Sequence, residues 1–331
     1  MKLATLRGPG PDGTLVVVSR NLESCAPAGG IAPTLQSALD RWQEVRPALE
    51  RLAETVEART APDLRPFAPK DAASPLPRAF QWVDGSVYPA HMARMSRWRG
   101  VPVPQGPCMY QGGSDGFLGP CEPIPAATEE WGVDFESEIA VVSAGLPAGA
   151  NREEAAQSIA LVMLCNDVSL RALIPEELAK EFGFVQSKPA SAFSPVACTP
   201  DELGGNWRDS RLHGPVRSHL NGALFGQPDA GGMEWGFDAL LAYLARTRRV
   251  APGTILGSGT VAAEDEALGF SCISERRVAE QLATGVASTP FMRFGDRIRI
   301  EMTGPDGASL FGAIDQVLER VGEDVKRWEQ S

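Results

Sequence analysis

The sequence predicts a mainly β, α+β protein. Apolar and polar residues alternate with period 2 in five separated segments, while amphipathic helical patterns are few. The 331 residues are also enough for one large domain and a smaller one without disulfide support. At the start, residues 3–6 and 14–18 flank a Gly10-Pro11-Asp12-Gly13 turn, a hairpin pattern. Residues 34–58 then place Leu35, Leu39, Trp42, Val45, Leu49, Leu52 and Val56 on one helical face, with Pro47 expected to kink the helix. Prolines at 62, 66, 69, 75 and 77 mark 61–77 as a linker. A small N-terminal unit with its linker, residues 1–75, would therefore precede a main domain over 76–331. Strands are expected over 133–142, 216–220 (ending in an Asn221-Gly222 turn), 254–261, 297–302 and 309–317. Helices are expected over 152–165 and 237–247, with a further one after Arg171. Many strands and few helices suit a β domain with peripheral helices.

Composition narrows the function. A formal charge of −11 and a pI near 4.9, with no run of Lys or Arg, exclude the basic footprint of a nucleic-acid binder. No stretch reaches the about 18 apolar residues of a membrane span, and the first residues show no secretory pattern. The six cysteines (Cys25, Cys108, Cys121, Cys165, Cys198, Cys272) form no C-x-x-C pair. Free thiols in a reduced, cytoplasmic setting are expected. An anionic substrate would need local positive charge.

Five features could carry chemistry. In a strand over 133–142, Asp134, Glu136 and Glu138 share a face, and the two glutamates stand about 6.5–7 Å apart at the backbone. Ionised carboxylates on one face repel unless a cation or proton intervenes, and hard oxygen donors select Mg²⁺ or Ca²⁺. The plain alternative is a solvent-facing acidic stripe. Next, an apolar helix ending in Asn166-Asp167 would bury an aspartate that needs a cation or donors; a turn aspartate is the alternative. Third, Asp84 precedes His91 by seven residues, although a lone histidine is more often structural; His213 and His219 read as surface residues. Fourth, Lys188, in Ser187-Lys188-Pro189, could stabilise an oxyanion. Fifth, Gly259-Thr260 lets backbone approach a ligand, though a plain turn is as good a reading. No phosphate loop or dinucleotide fingerprint occurs.

Together, Glu136-Ser137-Glu138, Asn166-Asp167, Ser187-Lys188 and Gly259-Thr260, in this order over about residues 80–318, resemble the fumarylacetoacetate hydrolase family. The Asp84/His91 spacing is similar to its fumarylacetoacetase branch. The resemblance implies a mixed β-sandwich roll with a small SH3-like N-terminal β domain, and a homodimer. It implies Asp84, Glu136, Glu138 and Asp167 as ligands of Mg²⁺ or Ca²⁺, and His91 as general base oriented by Glu275. Lys188 would be the oxyanion stabiliser, with Arg171, Tyr110 and Thr260 holding substrate. The implied activity is hydrolysis of a C–C bond in a β-diketo acid, first of all fumarylacetoacetate in aromatic amino-acid (tyrosine) catabolism. The alternatives on this scaffold are acylpyruvate hydrolysis, oxaloacetate decarboxylation, hydratase or isomerase chemistry, or metal binding without turnover. Three positions depart from the pattern: Ile174 stands where the family has glutamine, and Ser86 where it has tyrosine. The arginine of the histidine helix has only Arg97 or Arg99 nearby.

Overall fold

A computed structural model describes residues 1–8 and 10–321, so the last ten positions of the expected main domain lie outside the described residues. An eleven-stranded sheet runs in the order Arg65–Pro66, Ser24–Pro27, Thr14–Val18, Lys2–Leu6, Ala197–Cys198, Ile159–Asn166, Ser137–Ser143, Thr254–Gly257, Trp82–Ser86, Cys108–Gly112. Ala192–Phe193 pairs alongside Ile159–Asn166. Neighbours are antiparallel except Thr254–Gly257 with Trp82–Ser86. A second, five-stranded sheet holds Ala223–Gly226, Arg217–Leu220, Arg297–Thr303, Ser309–Arg320 and Ile124–Ala126.

The side-chain alternation of the large sheet feeds two cores. Val16, Val18, Val141, Val162 and Leu164 meet Ile298, Ile300, Phe311 and Ile314 of the second sheet. On the opposite face Leu3, Leu15, Val17, Val142, Leu161 and Met163 meet Leu35, Trp42, Val45 and Leu49 of the N-terminal helices. The long central strands are therefore buried on both sides, which explains why they read as unbroken apolar runs.

That double burial corrects the helix expected over 152–165. Asn151 and Glu154 form a capping box that starts a helix at Arg152–Ser158, but the chain becomes a strand at Ile159–Asn166. An apolar run of this length fits either element, and packing between two layers decides for the strand. Residues 34–58 form two helices, Leu35–Leu39 and Trp42–Glu57; the break falls at Asp40-Arg41, ahead of Pro47, which lies inside the second helix. The helix after Arg171 is Ile174–Lys180, and Phe237–Leu244 stops short of the expected end. The Asn221-Gly222 hairpin is present, with positive φ at both residues (52° and 81°) as this tight turn requires.

The N-terminal strands do not close a separate SH3-like barrel. They extend the large sheet through Lys2↔Cys198 and Leu3↔Ala197. Nor are residues 61–77 a free linker. Arg65–Pro66 pairs with Ser24-Cys25, Ala73 donates to the Thr5 carbonyl, and the Thr5 hydroxyl donates to Pro75 O at 2.6 Å.

Candidate active site

Four carboxylates converge where central strands end. Asp84 lies in Trp82–Ser86, Glu138 in Ser137–Ser143, Glu136 just before that strand, and Asp167 just after Ile159–Asn166. All four are buried, and each offers an oxygen within 4.8 Å of the others. Backbone register does much of the placing. The Asp167 amide donates to Glu136 O (3.0 Å), and the Glu136 amide donates to Asn166 Oδ1 (3.2 Å). The Gly259 amide donates to Asp84 Oδ1 (3.0 Å). Gly259 has φ +76° and a Cβ there would meet Gly85 O at 2.4 Å, so only glycine lets this amide come so close. Thr260 follows, buried beside it.

The expected strand over 133–142 is interrupted. Val133–Asp134 pairs with Ser169–Leu170 in a separate two-stranded sheet, and Asp134 leaves the acidic cluster. Its oxygens accept from the amides of Ile273 (2.8 Å) and Ser274 (2.9 Å), at the start of the helix Ile273–Thr284. Free amides at a helix start favour such an anion.

Cations are too few for these anions. Lys188 Nζ lies 2.8 Å from Glu136 and 2.5 Å from Asp167. Arg171 bridges Asp134 (2.8 Å) and Glu136 (2.6 Å). Asp167 also accepts from the hydroxyls of Tyr110 (2.6 Å) and Ser191 (2.7 Å). Glu138 has no hydrogen-bond partner at either buried oxygen among the described residues. Five carboxylates thus share two cations. Burial, and then the charges of Asp167 and Glu136, push Asp84 well above the ordinary carboxylate range. Burial and Asp84 do the same to Glu138. For Glu136 burial acts upward too, but Lys188 and Arg171 outweigh it and hold the group low. Burial would discharge Lys188; Asp167 and Glu136 instead hold its ammonium charged. An oxygen-only set with two orphaned buried oxygens and excess negative charge suits a hard divalent cation.

Beside the cluster stands a second group. His91 lies in the first turn of Pro89–Arg99, and its Nδ1 is 3.5 Å from Glu275 Oε2. Neither atom has a hydrogen-bond partner among the described residues. Arg94, on the same helix face as His91, donates to the other Glu275 oxygen at 2.7 Å. Its Nη2 donates to the carbonyls of Ala263 (2.7 Å) and Glu264 (3.0 Å), and its Nε to the Glu266 carboxylate (3.4 Å). Burial raises the Glu275 carboxyl, but His91 and Arg94 overcome that and hold it below the ordinary range. The imidazole is close enough to Glu136 to help hold that carboxyl down as well.

Lys188 is positioned from outside the site. Glu177, on Ile174–Lys180, accepts from the amides of Val185 (2.9 Å), Gln186 (2.8 Å) and Ser187 (3.1 Å) and from the Ser187 hydroxyl (2.5 Å). Burial alone would raise its carboxyl; these donors bring it down to about 2.

The structure thus gathers Asp84, Glu136, Glu138, Asp167, Lys188, Arg171 and Tyr110 around one point, and places His91 with Glu275 at its side. Sequence reasoning missed Arg94, having looked to Arg97 and Arg99, which are exposed. The i,i+3 spacing from His91 was the available signal. Ser191 and Glu177 left none, because their partners are set by loop conformation.

The site is thus an acidic oxygen cage that could hold a metal ion, beside a histidine–glutamate pair on stacked sheets. The fumarylacetoacetate (FAA) hydrolase C-terminal family model matches residues 81–318, and the fumarylacetoacetase N-terminal domain 2 model matches residues 1–78. The chain belongs to the fumarylacetoacetate hydrolase family. It is 25% identical over 167 residues to the mitochondrial oxaloacetate tautomerase fahd2 of Xenopus laevis, a match covering 48% of this chain and 49% of that protein. This chain therefore spans about half the length of that curated relative. The fold is shared with a fumarylacetoacetate hydrolase from Exiguobacterium antarcticum (TM-score 0.68, 16% identity, 97% of this chain and 100% of that one). It is shared equally with a maleylpyruvate hydrolase from Sphingobium sp. SYK-6 (TM-score 0.67, 16% identity, 97% and 100%). No helix among the described residues is long and apolar enough to cross a membrane.

Proposed function

We propose that this protein is a divalent-metal-dependent hydrolase that cleaves a C–C bond in a β-diketo acid. The observation that carries the reading is the His91–Glu275 pair standing beside a cation-deficient carboxylate cage. Asp84, Glu136, Glu138 and Asp167 would hold the ion, Mg²⁺ or Ca²⁺. Once bound, it would polarise the diketone oxygens as a Lewis acid. His91 accepts a proton from water at its free nitrogen, and Glu275 steadies the imidazolium through Nδ1. The water oxygen bonds to the carbonyl carbon, and the C–C bond to the neighbouring methylene then breaks. Its electron pair leaves with that methylene, which His91 reprotonates. Lys188 supplies positive charge for the oxyanion, and Arg171 and Lys188 attract the substrate carboxylate into an otherwise acidic protein. Tyr110, whose ring faces Lys188 at 5.4 Å, and Thr260 complete the substrate contacts. Fumarylacetoacetate is the reference substrate for this reading. Chelation is expected to abolish turnover and Mg²⁺ or Ca²⁺ to restore it; full activity in a metal-free sample would sink the scheme.

A second reading, keto–enol tautomerisation of a 2-oxo diacid, draws support from the name of the curated relative and from a histidine able to move a proton without a water nucleophile. Product analysis separates the two, because hydrolysis yields two carboxylic acids and tautomerisation yields none.

A further inference from the structure

His91 and Glu275 stand apart in a way that their proton-transfer role does not use. At 3.5 Å, His91 Nδ1 and Glu275 Oε2 are farther from each other than the about 2.7–3.2 Å of an N–H···O bond. Both atoms are buried and without a hydrogen-bond partner among the described residues. Arg94 takes only the other oxygen, Oε1, and so leaves Oε2 turned to the imidazole. A third group completes the set. Cys272 is fully buried and caps the helix Ile273–Thr284, where its Sγ accepts from the Glu275 amide (3.3 Å). His91, Cys272 and Glu275 each offer a ligand atom within 4.8 Å of the other two.

A nitrogen, sulfur and oxygen donor set differs in kind from the all-oxygen cage. Thiolate and imidazole select zinc, whereas carboxylate oxygens alone suit Mg²⁺ or Ca²⁺. Zinc sites are tetrahedral, and ligands about 2.0–2.1 Å from the ion then stand about 3.3–3.4 Å apart. The His91–Glu275 separation is close to that: long for a hydrogen bond, and suited to two ligands of one ion. Three protein ligands leave the fourth position to water. Burial pushes the Cys272 thiol well above its ordinary range, so it rests protonated. The helix start favours the thiolate once an ion displaces that proton. Entry is past His91, whose side chain is 15% exposed while the other two ligands are closed off.

We infer that His91 Nδ1, Cys272 Sγ and Glu275 Oε2 form a zinc site that switches off the base when filled. Binding is a property of these three side chains alone; its effect on turnover rests on the hydrolase reading above. Zn²⁺ replaces the thiol proton, which leaves to solvent. A neutral imidazole bound through Nδ1 carries its proton on Nε2, so it has no lone pair left to accept a proton from water. The cage and the triad therefore take different metals, one required for turnover and the other opposed to it.

The test uses the full chain in saturating Mg²⁺, with Co²⁺ as a coloured stand-in for Zn²⁺. A near-ultraviolet thiolate-to-Co²⁺ charge-transfer band is expected, complete at about one equivalent and removed by excess Zn²⁺. Cys272→Ser and, independently, Cys272→Ala should lose the band. Serine is a preferred N-cap, so the helix start and the basal turnover of Cys272→Ser should stay as they are. With a β-diketo acid as substrate, Zn²⁺ should cut turnover of the parent about 10²-fold or more, the worth of a general base. Half-inhibition of Cys272→Ser should need at least about tenfold more Zn²⁺. Absence of the band in the parent, or a band that survives in both variants, overturns the inference. Equal zinc sensitivity of parent and Cys272→Ser also overturns it, because the zinc would then act at the cage. No turnover of any β-diketo acid overturns the hydrolase reading and with it the switch, while the band still decides the zinc site.

Discussion

The floor of the site and its walls are built by different means. The floor is the acidic cage, placed by strand ends and backbone amides: Asp167 N to Glu136 O, Gly259 N to Asp84, Asn166 beneath Glu136. The walls are His91, Glu275 and Lys188, placed by helices and a loop that other side chains tie down. Arg94 holds Glu275, Asp134 starts the helix that carries it, and Glu177 fastens the loop before Lys188. A floor set by register should keep its metal affinity when the walls are altered, whereas the walls should lose rate one tie at a time.

Lys188 is where this contrast can break, because it belongs to a wall and yet neutralises the floor. Lys188→Met leaves Glu136 and Asp167 without their shared cation. A loss of about 3–5 kcal/mol is expected in chelator, read from denaturant unfolding, with part recovered on adding Mg²⁺. An unchanged midpoint would show that the cage protonates instead. His91→Ala tests the contrast directly: kcat should fall about 10³-fold, some 4 kcal/mol at the barrier, with Mg²⁺ affinity by calorimetry unchanged. A variant that also loses the metal would merge the two regions.

Arg94→Ala should lower kcat about tenfold, because Glu275 keeps its place but loses the partner that fixes it. Arg94→Lys should recover part of the rate, and the acid limb of the pH–rate profile should move in the alanine variant alone. The smallest effect belongs to Glu177. Its carboxyl sits near 2 in the folded protein against an ordinary value of about 4.3, so the stabilisation is present above pH about 4.3 and is lost as pH falls towards 2. Glu177→Gln should cost about 1 kcal/mol at neutral pH, discounted for screening of a partly exposed group. The gap to the parent should narrow in acid; a gap constant from pH 7 to 2.5 would remove the charge from the account.

Much of the floor was legible in the chain, because the spacing of the four carboxylates survives even when the element is misjudged. Asp167 follows a strand rather than the expected helix, yet stands in the cage all the same. Glu136 and Glu138 both stand in the cage although Glu136 lies in the break, ahead of the strand that holds Glu138. The same logic failed for Asp134, which alternation placed with the glutamates and the break turned towards a helix start. Wall residues were harder to read. Arg94 serves Glu275 across a separation of 181 positions, and Ser191 reaches Asp167 only because of how its loop folds. The partners in such contacts carry no local period; for Arg94 only its i,i+3 spacing from His91 was legible. The linker expectation failed for a related reason: proline marks a break in regular structure, and a chain without regular structure can still be docked along its whole length.

That docking bears on how the molecule tolerates being cut. Removing residues 1–78 would take more than a small appendage. It would strip Lys2–Leu6 from Ala197–Cys198 and leave an unpaired strand edge beside the longest strands of the sheet. It would also uncover Val142, Leu161 and Met163 by taking away Leu35, Trp42, Val45 and Leu49. A bare edge next to a bare apolar face is a template for strand addition between copies. The isolated C-terminal part should therefore aggregate while its cage remains intact in sequence, and the first segment serves as a fixed cover against self-association.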